Sequence, residues 1–319
     1  MIIVTGGAGF IGSNLINCLG NHNFQDIVSV DWKNNENEHY FKKKDLKKIS
    51  PDNLKNFLNE NKTSIKLVIH LGAITSTTET NVKLILENNI NLSLFIWSWC
   101  VENKKRLIYA SSAATYGNGF NNFDDKEKNN YLSKLIPLNL YGWSKHLFDK
   151  FTINQKKKPP QYVGLKFFNV YGPNEFHKSE MRSIVLKIFQ KVSNNQTVKL
   201  FKSHNPDYKD GQQMRDFIYI KDVINIIKWF IDNKNINGIF NVGTGKPRSF
   251  HDLATSVFKN SNIKNKIKYI DTPKNIRDQY QYFTKANIKK LRHNGYKKKF
   301  FSLEDGIKDY IRNYLIKNL

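Results

Sequence analysis

Met1-Ile2-Ile3-Val4-Thr5-Gly6-Gly7-Ala8-Gly9-Phe10-Ile11-Gly12 decides how this chain folds. A short apolar run stops at Thr5. Glycines then recur at Gly6, Gly9 and Gly12, while Gly7, Gly9 and Gly12 also satisfy G-x-G-x-x-G. Such a loop turns tightly, admits a pyrophosphate to the backbone, and lets the helix that opens near Gly12 pack close to the preceding strand. The N–H groups and partial positive charge at the helix start then face the phosphates. Alone, the glycines would be an ordinary turn; a strand before and a helix after make them a dinucleotide loop.

Outward from that loop, apolar runs bounded by turn residues predict strands over 1–5, 27–31, 66–71, 106–111, 162–170 and 238–242. Helical patterns lie near 12–20, 51–60, 79–101, 141–154 and 219–232. The alternation implies an α/β fold, a doubly wound parallel sheet covered on both faces, with its ligand at the carboxyl ends of the strands. Two stretches break the alternation: 171–216, with Gly172-Pro173 and a helix from about 179, and 243–319. Both are expected to fold over the sheet edge as a substrate lid. The expected division is a dinucleotide-binding domain, 1–166 plus 217–242, and a smaller α/β substrate-binding domain, 167–216 plus 243–319.

The chain has 319 residues and a formal net charge of +24. Its charge is dispersed in short lysine runs at 42–44, 156–158 and 297–299, with no recognised nucleic-acid motif. No specific nucleic-acid partner is therefore expected, although an anionic nucleotide ligand would benefit from the field. No run approaches the roughly 18 apolar residues of a membrane span. The N-terminus enters a strand without a leader pattern, so the expected compartment is the cytoplasm, with no membrane contact. Cys18 and Cys100 give neither a disulfide framework nor a metal spacing, and no metal site is expected.

Asp31 ends the second expected strand, where a carboxylate accepts hydrogen bonds from the adenosine ribose. By itself it favours NAD, whereas Lys33 and the lysines at 42–44 offset the repulsion of a 2′-phosphate. The choice stays open on the residues alone. Leu71-Gly72-Ala73-Ile74-Thr75 supplies small residues where backbone passes a cofactor. In Y-G-W-S-K, Tyr141 and Lys145 share one helix face. An ammonium there, together with a cationic nicotinamide, is expected to lower the tyrosine pKa from about 10 toward neutrality. The tyrosinate then takes a hydroxyl proton while hydride leaves the carbon, and Ser112 holds the substrate oxygen.

The glycine loop, Ser112 and the Tyr141/Lys145 pair resemble the extended short-chain dehydrogenase/reductases, which have a Rossmann sheet. Within them, Y-A-S-S-A-A-T-Y-G (109–117), N-L-Y-G-W-S-K-H-L-F-D (139–149), F-F-N-V-Y-G-P-N-E (167–175) and R-D-F-I-Y (215–219) resemble the ADP-L-glycero-D-manno-heptose 6-epimerases. So do G-A-I-T-S-T-T-E (72–79) and Q-Y-F-T-K-A (281–286), and the similarity runs nearly end to end. The resemblance implies an isomerase that inverts C6 of an ADP-linked heptose by oxidation to a ketone and re-reduction on the other face. It implies tightly bound NADP, with NAD as the other candidate, a homo-oligomer described in the family as pentameric, and a product used in lipopolysaccharide biosynthesis.

By the same resemblance, Tyr141 and Lys178 are the two acid/bases. Gly6, Gly9, Phe10, Ile11, Gly12, Asp31, Trp32, the 71–75 turn, Asn88, Lys145, Val170 and Lys178 match cofactor-contacting places. Asn169, Arg215 and Tyr280 match substrate-contacting ones. The substrate segment departs from the family's F-E-G-S, reading Phe201-Lys202-Ser203-His204, and Glu180 and Lys187 replace a Ser and a His. Without the resemblance, Lys178 reads as a solvated charge and Arg215 as an ion-pair partner of Asp216. The alternatives are another nucleotide-sugar epimerase, such as a UDP-hexose 4-epimerase, or a cofactor-binding module without catalysis. A 4,6-dehydratase is disfavoured because Ala113 and Ala114 follow Ser112.

Overall fold

The computed structural model describes residues 1–20, 26–32, 36–41, 45–277 and 280–318. Lys33 and the lysines at 42–44 lie outside them. Two compact units emerge: 1–117 with 125–167 and 224–241, and 118–124 with 168–223 and 242–319. Segments 118–124 and 217–223 therefore group with the second unit, whereas the sequence reading put them in the first.

The first unit is built on a seven-stranded sheet. Its order is Gly238–Val242, Tyr162–Phe167, Arg106–Ser112, Leu67–His70, Ile2–Thr5, Ile27–Val30, Lys47–Ile49. The ladders from Tyr162–Phe167 to Lys47–Ile49 run parallel, with Ile3 level with both Val28 and Val68. Ile2–Thr5, Ile27–Val30 and Leu67–His70 are buried at every residue, which is why they read as unbroken apolar runs rather than as alternations. Ile3, Val28, Val68, Leu107, Ile96, Trp97 and Phe148 pack together on one face, between strands and helices. This is the expected doubly wound α/β sheet. The strand order turns around at Ile2–Thr5, so the crevice for a ligand opens between that strand and Leu67–His70.

Four local expectations needed correction. Lys47–Ile49 is a three-residue edge strand, polar and largely exposed, and carries no apolar signal. The run 162–170 is two strands, because the chain leaves the main sheet after Phe167 and Asn169–Tyr171 pairs with Phe217–Tyr219 instead. The helix expected over 79–101 contains a widened turn, Leu86–Asn91, between Val82–Ile85 and Leu92–Glu102. The helix expected from about 179 starts later, at Ile184, where Ser183 caps it.

In the second unit, short strands pair two by two. Val198–Phe201 runs parallel to Ile267–Ile270, and Met214–Arg215 runs antiparallel to Arg248–Ser249. Helices Ile184–Ser193 and Phe250–Asn260 pack against Val198–Phe201, and Leu303–Tyr310 packs on Phe250–Asn260. Ser249 and Asp252 cap Phe250–Asn260 reciprocally.

Candidate active site

The glycine loop is where the sequence placed it, and its glycines are sterically required. Gly6 has φ +66, and a Cβ there would lie 2.7 Å from Gly72 Cα. A Cβ on Gly12 would lie 2.1 Å from Gly6 O. Gly6 N donates to Val30 O at 2.9 Å and Gly9 N to Gly6 O at 3.1 Å, which closes the turn. Asp31 braces the loop, accepting from Ala8 N at 2.9 Å through Oδ2 and from Trp32 N at 3.0 Å through Oδ1. Helix Phe10–Gly20 has no acidic residue in its first turn, so its positive end is left for an anion. Phe10 and Gly12 are buried, Ile11 is half-buried, and Trp32 is exposed. These features fit a dinucleotide pyrophosphate.

The turn 71–75 lies beside the loop. Leu71 N donates to Thr5 O at 3.1 Å and Gly72 N to Thr5 Oγ1 at 3.1 Å. Leu71, Gly72, Ala73 and Ile74 are half-buried and Thr75 is exposed. Asn89 clamps this turn: its Oδ1 accepts from Ile74 N at 2.8 Å, and its Nδ2 donates to Ile74 O at 3.0 Å and Ser144 Oγ at 3.0 Å. Ser93 Oγ donates to Asn89 O at 2.6 Å. His70 Nε2 is 2.9 Å from Ser93 Oγ, and its Nδ1 is 2.7 Å from Thr5 Oγ1. Because the Ser93 hydroxyl proton is spent on Asn89, His70 must donate from Nε2 and accept at Nδ1. Burial and then the Lys145 charge push its pKa down to about 3, in keeping with that neutral ring.

Asn139 caps helix Leu140–Asn154, accepting from Gly142 N at 2.8 Å, and this start sets Tyr141 in the first turn. The Tyr141 side chain hydrogen-bonds to Ser112, which ends the strand Arg106–Ser112. Lys145 is buried, and burial lowers its pKa to about 8 against the opposing pull of Asp149. The lowering expected for Tyr141 includes a nicotinamide charge, and the protein by itself works in the other direction. Burial raises its pKa above the ordinary value, the Ser112 hydrogen bond works downward, and the Asp149 charge works upward.

In the second unit, Lys178 is half-buried in the short turn Phe176–Met181. Burial lowers its pKa and Glu175 opposes the shift. Glu175 is itself buried and accepts from Gly172 N at 3.2 Å, Ser183 N at 2.6 Å and Ser183 Oγ at 2.7 Å, which fixes both ends of the segment. Lys187 and Glu180 meet each other at 3.3 Å. Arg215 lies 5.5 Å from the ring centres of both Phe250 and Tyr280, and Phe201 packs edge-on to Tyr280 at 5.9 Å. The ion pair of Arg215 with Asp216 is not formed. Asp216 instead accepts from Thr244 N, Thr244 Oγ1, Gly245 N and Ala286 N at 2.7–2.9 Å. Lys202 pairs with Asp271 at 3.4 Å, Ser203 N donates to Asp210 at 2.8 Å, and His204 N donates to Tyr282 OH at 2.9 Å. Asn169 is exposed, donating to Asp216 O at 3.1 Å, and Val170 is half-buried.

Residues 2–243 match the model of the NAD dependent epimerase/dehydratase family. The chain belongs to that family. An ADP-L-glycero-D-manno-heptose-6-epimerase of Fusobacterium nucleatum is 46% identical over 99% of this chain and 98% of its own. The enzyme of that name from Nitratidesulfovibrio vulgaris is 42% identical over 99% of this chain and 98% of its own. Among solved structures, Helicobacter pylori ADP-L-glycero-D-manno-heptose-6-epimerase superimposes with a TM-score of 0.79 at 29% identity, covering 98% of this chain and 95% of that one.

Three residues of this family member escaped the sequence reading. Asn88, which the resemblance singled out, bonds back to Leu84 O at 2.9 Å, whereas its neighbour Asn89 makes the clamp. The widened turn brings Asn89 inward, and no spacing rule announces such a turn. Asp149 and Lys166 form a buried ion pair at 2.6 Å beneath Lys145. Their signals were an Asp four residues beyond Lys145 and a Lys inside the apolar strand V-G-L-K-F-F. Among the described residues no cluster of ligand side chains could hold a metal, and no helix is long and apolar enough to cross a membrane.

Proposed function

We propose that this protein interconverts ADP-D-glycero-D-manno-heptose and ADP-L-glycero-D-manno-heptose by oxidation and opposite-face reduction at C6. The full-length likeness to enzymes of that name carries the reading. The hydrogen-bonded Ser112 and Tyr141, with Lys145 one turn on, supply matching chemistry. The C6–H bond is not acidic, so inversion needs hydride chemistry rather than proton abstraction.

In this mechanism Ser112 holds the C6 oxygen and Tyr141 takes or returns its proton. Because burial raises the Tyr141 pKa, the phenol stays protonated until further positive charge arrives beside Lys145. An oxidised nicotinamide held there would supply that charge and the hydride-accepting and hydride-returning chemistry that C6 inversion needs. Lys178 serves the opposite face, and the burial that lowers its pKa favours a neutral amine able to take a proton.

Gly6, Gly9, Gly12, Phe10 and Ile11 would hold the pyrophosphate, with Asp31, Trp32, Leu71–Thr75, Asn88 and Val170 around the rest of the cofactor. NADP is the cofactor the resemblance implies, and the two backbone donors on Asp31 temper its repulsion of a 2′-phosphate. Arg215, 5.5 Å from the ring centres of Phe250 and Tyr280, suits the substrate diphosphate, with Asn169, Tyr280 and the 201–204 segment as the other substrate contacts. The proposal includes a cytoplasmic homo-oligomer, pentameric by resemblance. Turnover of a panel of ADP-, UDP- and dTDP-sugars tests the substrate. Conversion of ADP-heptose supports it, and turnover of UDP-hexoses alone would overturn it.

A further inference from the structure

Tyr141, Lys145 and Asp149 lie on one stripe of helix Leu140–Asn154 at four-residue steps. Asp149 is fully buried, as is Lys166 on the neighbouring strand Tyr162–Phe167. The Asp149 carboxylate takes three bonds: Lys166 Nζ at 2.6 Å and Ser111 Oγ at 2.7 Å on Oδ2, and Tyr109 OH at 3.2 Å on Oδ1. Ser111 immediately precedes Ser112. Lys166 Nζ also donates to Thr115 Oγ1 at 2.6 Å and lies 4.8 Å from the Tyr116 ring centre, in the turn that follows Ser112. One carboxylate thus ties the helix of Tyr141 and Lys145 to the segment of Ser112 on both sides of that serine.

A buried pair is no default source of stability, because desolvation offsets much of its Coulomb attraction. Two apolar residues would fill this place at least as well. The pair therefore calls for a role that apolar packing cannot supply. We propose that Asp149, paired with Lys166, is a positioning residue for the Tyr141/Lys145 couple, setting the helix against Ser112 and keeping a negative charge one turn from Lys145. The inference rests on the epimerase reading for its kinetic consequence but not for its electrostatic one.

The charge is directed at Lys145. Burial disfavours that ammonium, lowering its pKa to about 8, and Asp149 favours it. The groups around them are Tyr109 from the sheet, Tyr116 from the turn, His70 from the adjacent strand, and Tyr141 and His146 on the same helix. Asp125 and Glu127 act on Tyr116 and Tyr109, and Lys166 and Lys150 on His146. Burial keeps His70 and His146 neutral, and the tyrosines stay protonated at neutral pH. Asp149 is then the negative charge that acts on Lys145.

Asp149→Asn alone would strand Lys166 as an unpaired buried cation, so the test is the double variant Asp149→Asn/Lys166→Met beside Lys166→Met. Lysine ε-carbons of the holoenzyme are titrated by 13C NMR, and the spectrum of Lys145→Arg assigns the Lys145 signal. Losing the carboxylate disfavours the ammonium, so the Lys145 midpoint should fall by about one pH unit in the double variant. In Lys166→Met, which keeps the carboxylate, it should stay at or above the wild-type value. With ADP-heptose, kcat of the double variant should drop about tenfold at neutral pH while KM stays within about twofold. An unchanged Lys145 midpoint in the double variant, or an equal fall in Lys166→Met, would overturn the proposal. Failure of the wild type to turn over ADP-heptose would sink the epimerase reading and leave the titration result standing.

Discussion

Asn89 Nδ2 donates to Ser144 Oγ at 3.0 Å, and this bond joins the turn 71–75 to the helix of Tyr141 and Lys145. The same side chain holds both the N–H and the C=O of Ile74. Ser144 Oγ then donates to Tyr141 O at 2.7 Å. The network runs from Thr5, beside the glycine loop, through His70, Ser93 and Asn89 to the first turn of helix Leu140–Asn154. The glycine loop and the first turn of the Tyr141 helix are therefore joined by one polar network.

Asn89→Ala should cost about 1–2 kcal/mol, because it leaves the half-buried N–H and C=O of Ile74 without their partner. Urea unfolding measures this. A loss below about 0.5 kcal/mol would mean that water replaces the amide and that the clamp is weak.

The buried His70 makes stability pH-dependent. Its pKa is lowered to about 3 in the folded protein, so the unfolded chain binds a proton first as pH falls. The contribution is fully present above the unfolded value of about 6.5 and is lost as pH falls through the folded value of about 3. His70→Gln should flatten the fall of Tm with pH in that window. An equally steep fall in the variant would show that other groups govern the acid limb.

Gly12→Ala places a methyl group 2.1 Å from Gly6 O. The loop must open to accept it, so the purified variant should carry little bound nicotinamide cofactor. Cofactor released on denaturation, quantified per chain, checks this. Wild-type occupancy would contradict the loop's assignment.

Much of this was legible beforehand because the relevant physics is local. Apolar runs such as Ile2–Thr5 and Leu67–His70 are buried on both faces, and the glycines are fixed by close approach. The Tyr141/Lys145 pair needs only one helix turn. Lys47–Ile49 was missed because an exposed edge strand lacks an apolar pattern. Asn89 was missed because a widened helix turn changes which residue faces inward. Lys166 reads as a surface charge until its partner on another element, Asp149, is seen. Asp216 looked like a partner for Arg215, but backbone N–H groups from 244, 245 and 286 claim it. Such partners are distant in sequence, so no window along the chain contains them.

Arg215 should divide binding from chemistry. Its guanidinium lies 5.5 Å from both the Phe250 and Tyr280 ring centres. Arg215→Lys keeps the charge but loses the planar fork and the stacking. KM for the nucleotide sugar should rise about tenfold with kcat nearly unchanged. A selective loss of kcat would instead put Arg215 near the reacting carbon.

Tyr141→Phe removes the first proposed proton-transfer group while keeping the ring, and Lys178→Met removes the second. Each should lower kcat at least about a hundredfold with the fold intact by circular dichroism. A Lys178→Met enzyme with wild-type kcat would return Lys178 to the role of a surface charge.

The proposed inversion at C6 uses a hydride that never leaves the enzyme. A proton NMR time course with ADP-D-glycero-D-manno-heptose in deuterated water, using purified protein without added cofactor, tests it most directly. The L-glycero epimer should appear with the C6 hydrogen retained and no build-up of reduced nicotinamide. No conversion even with NADP or NAD supplied, or deuterium entering at C6, would contradict it.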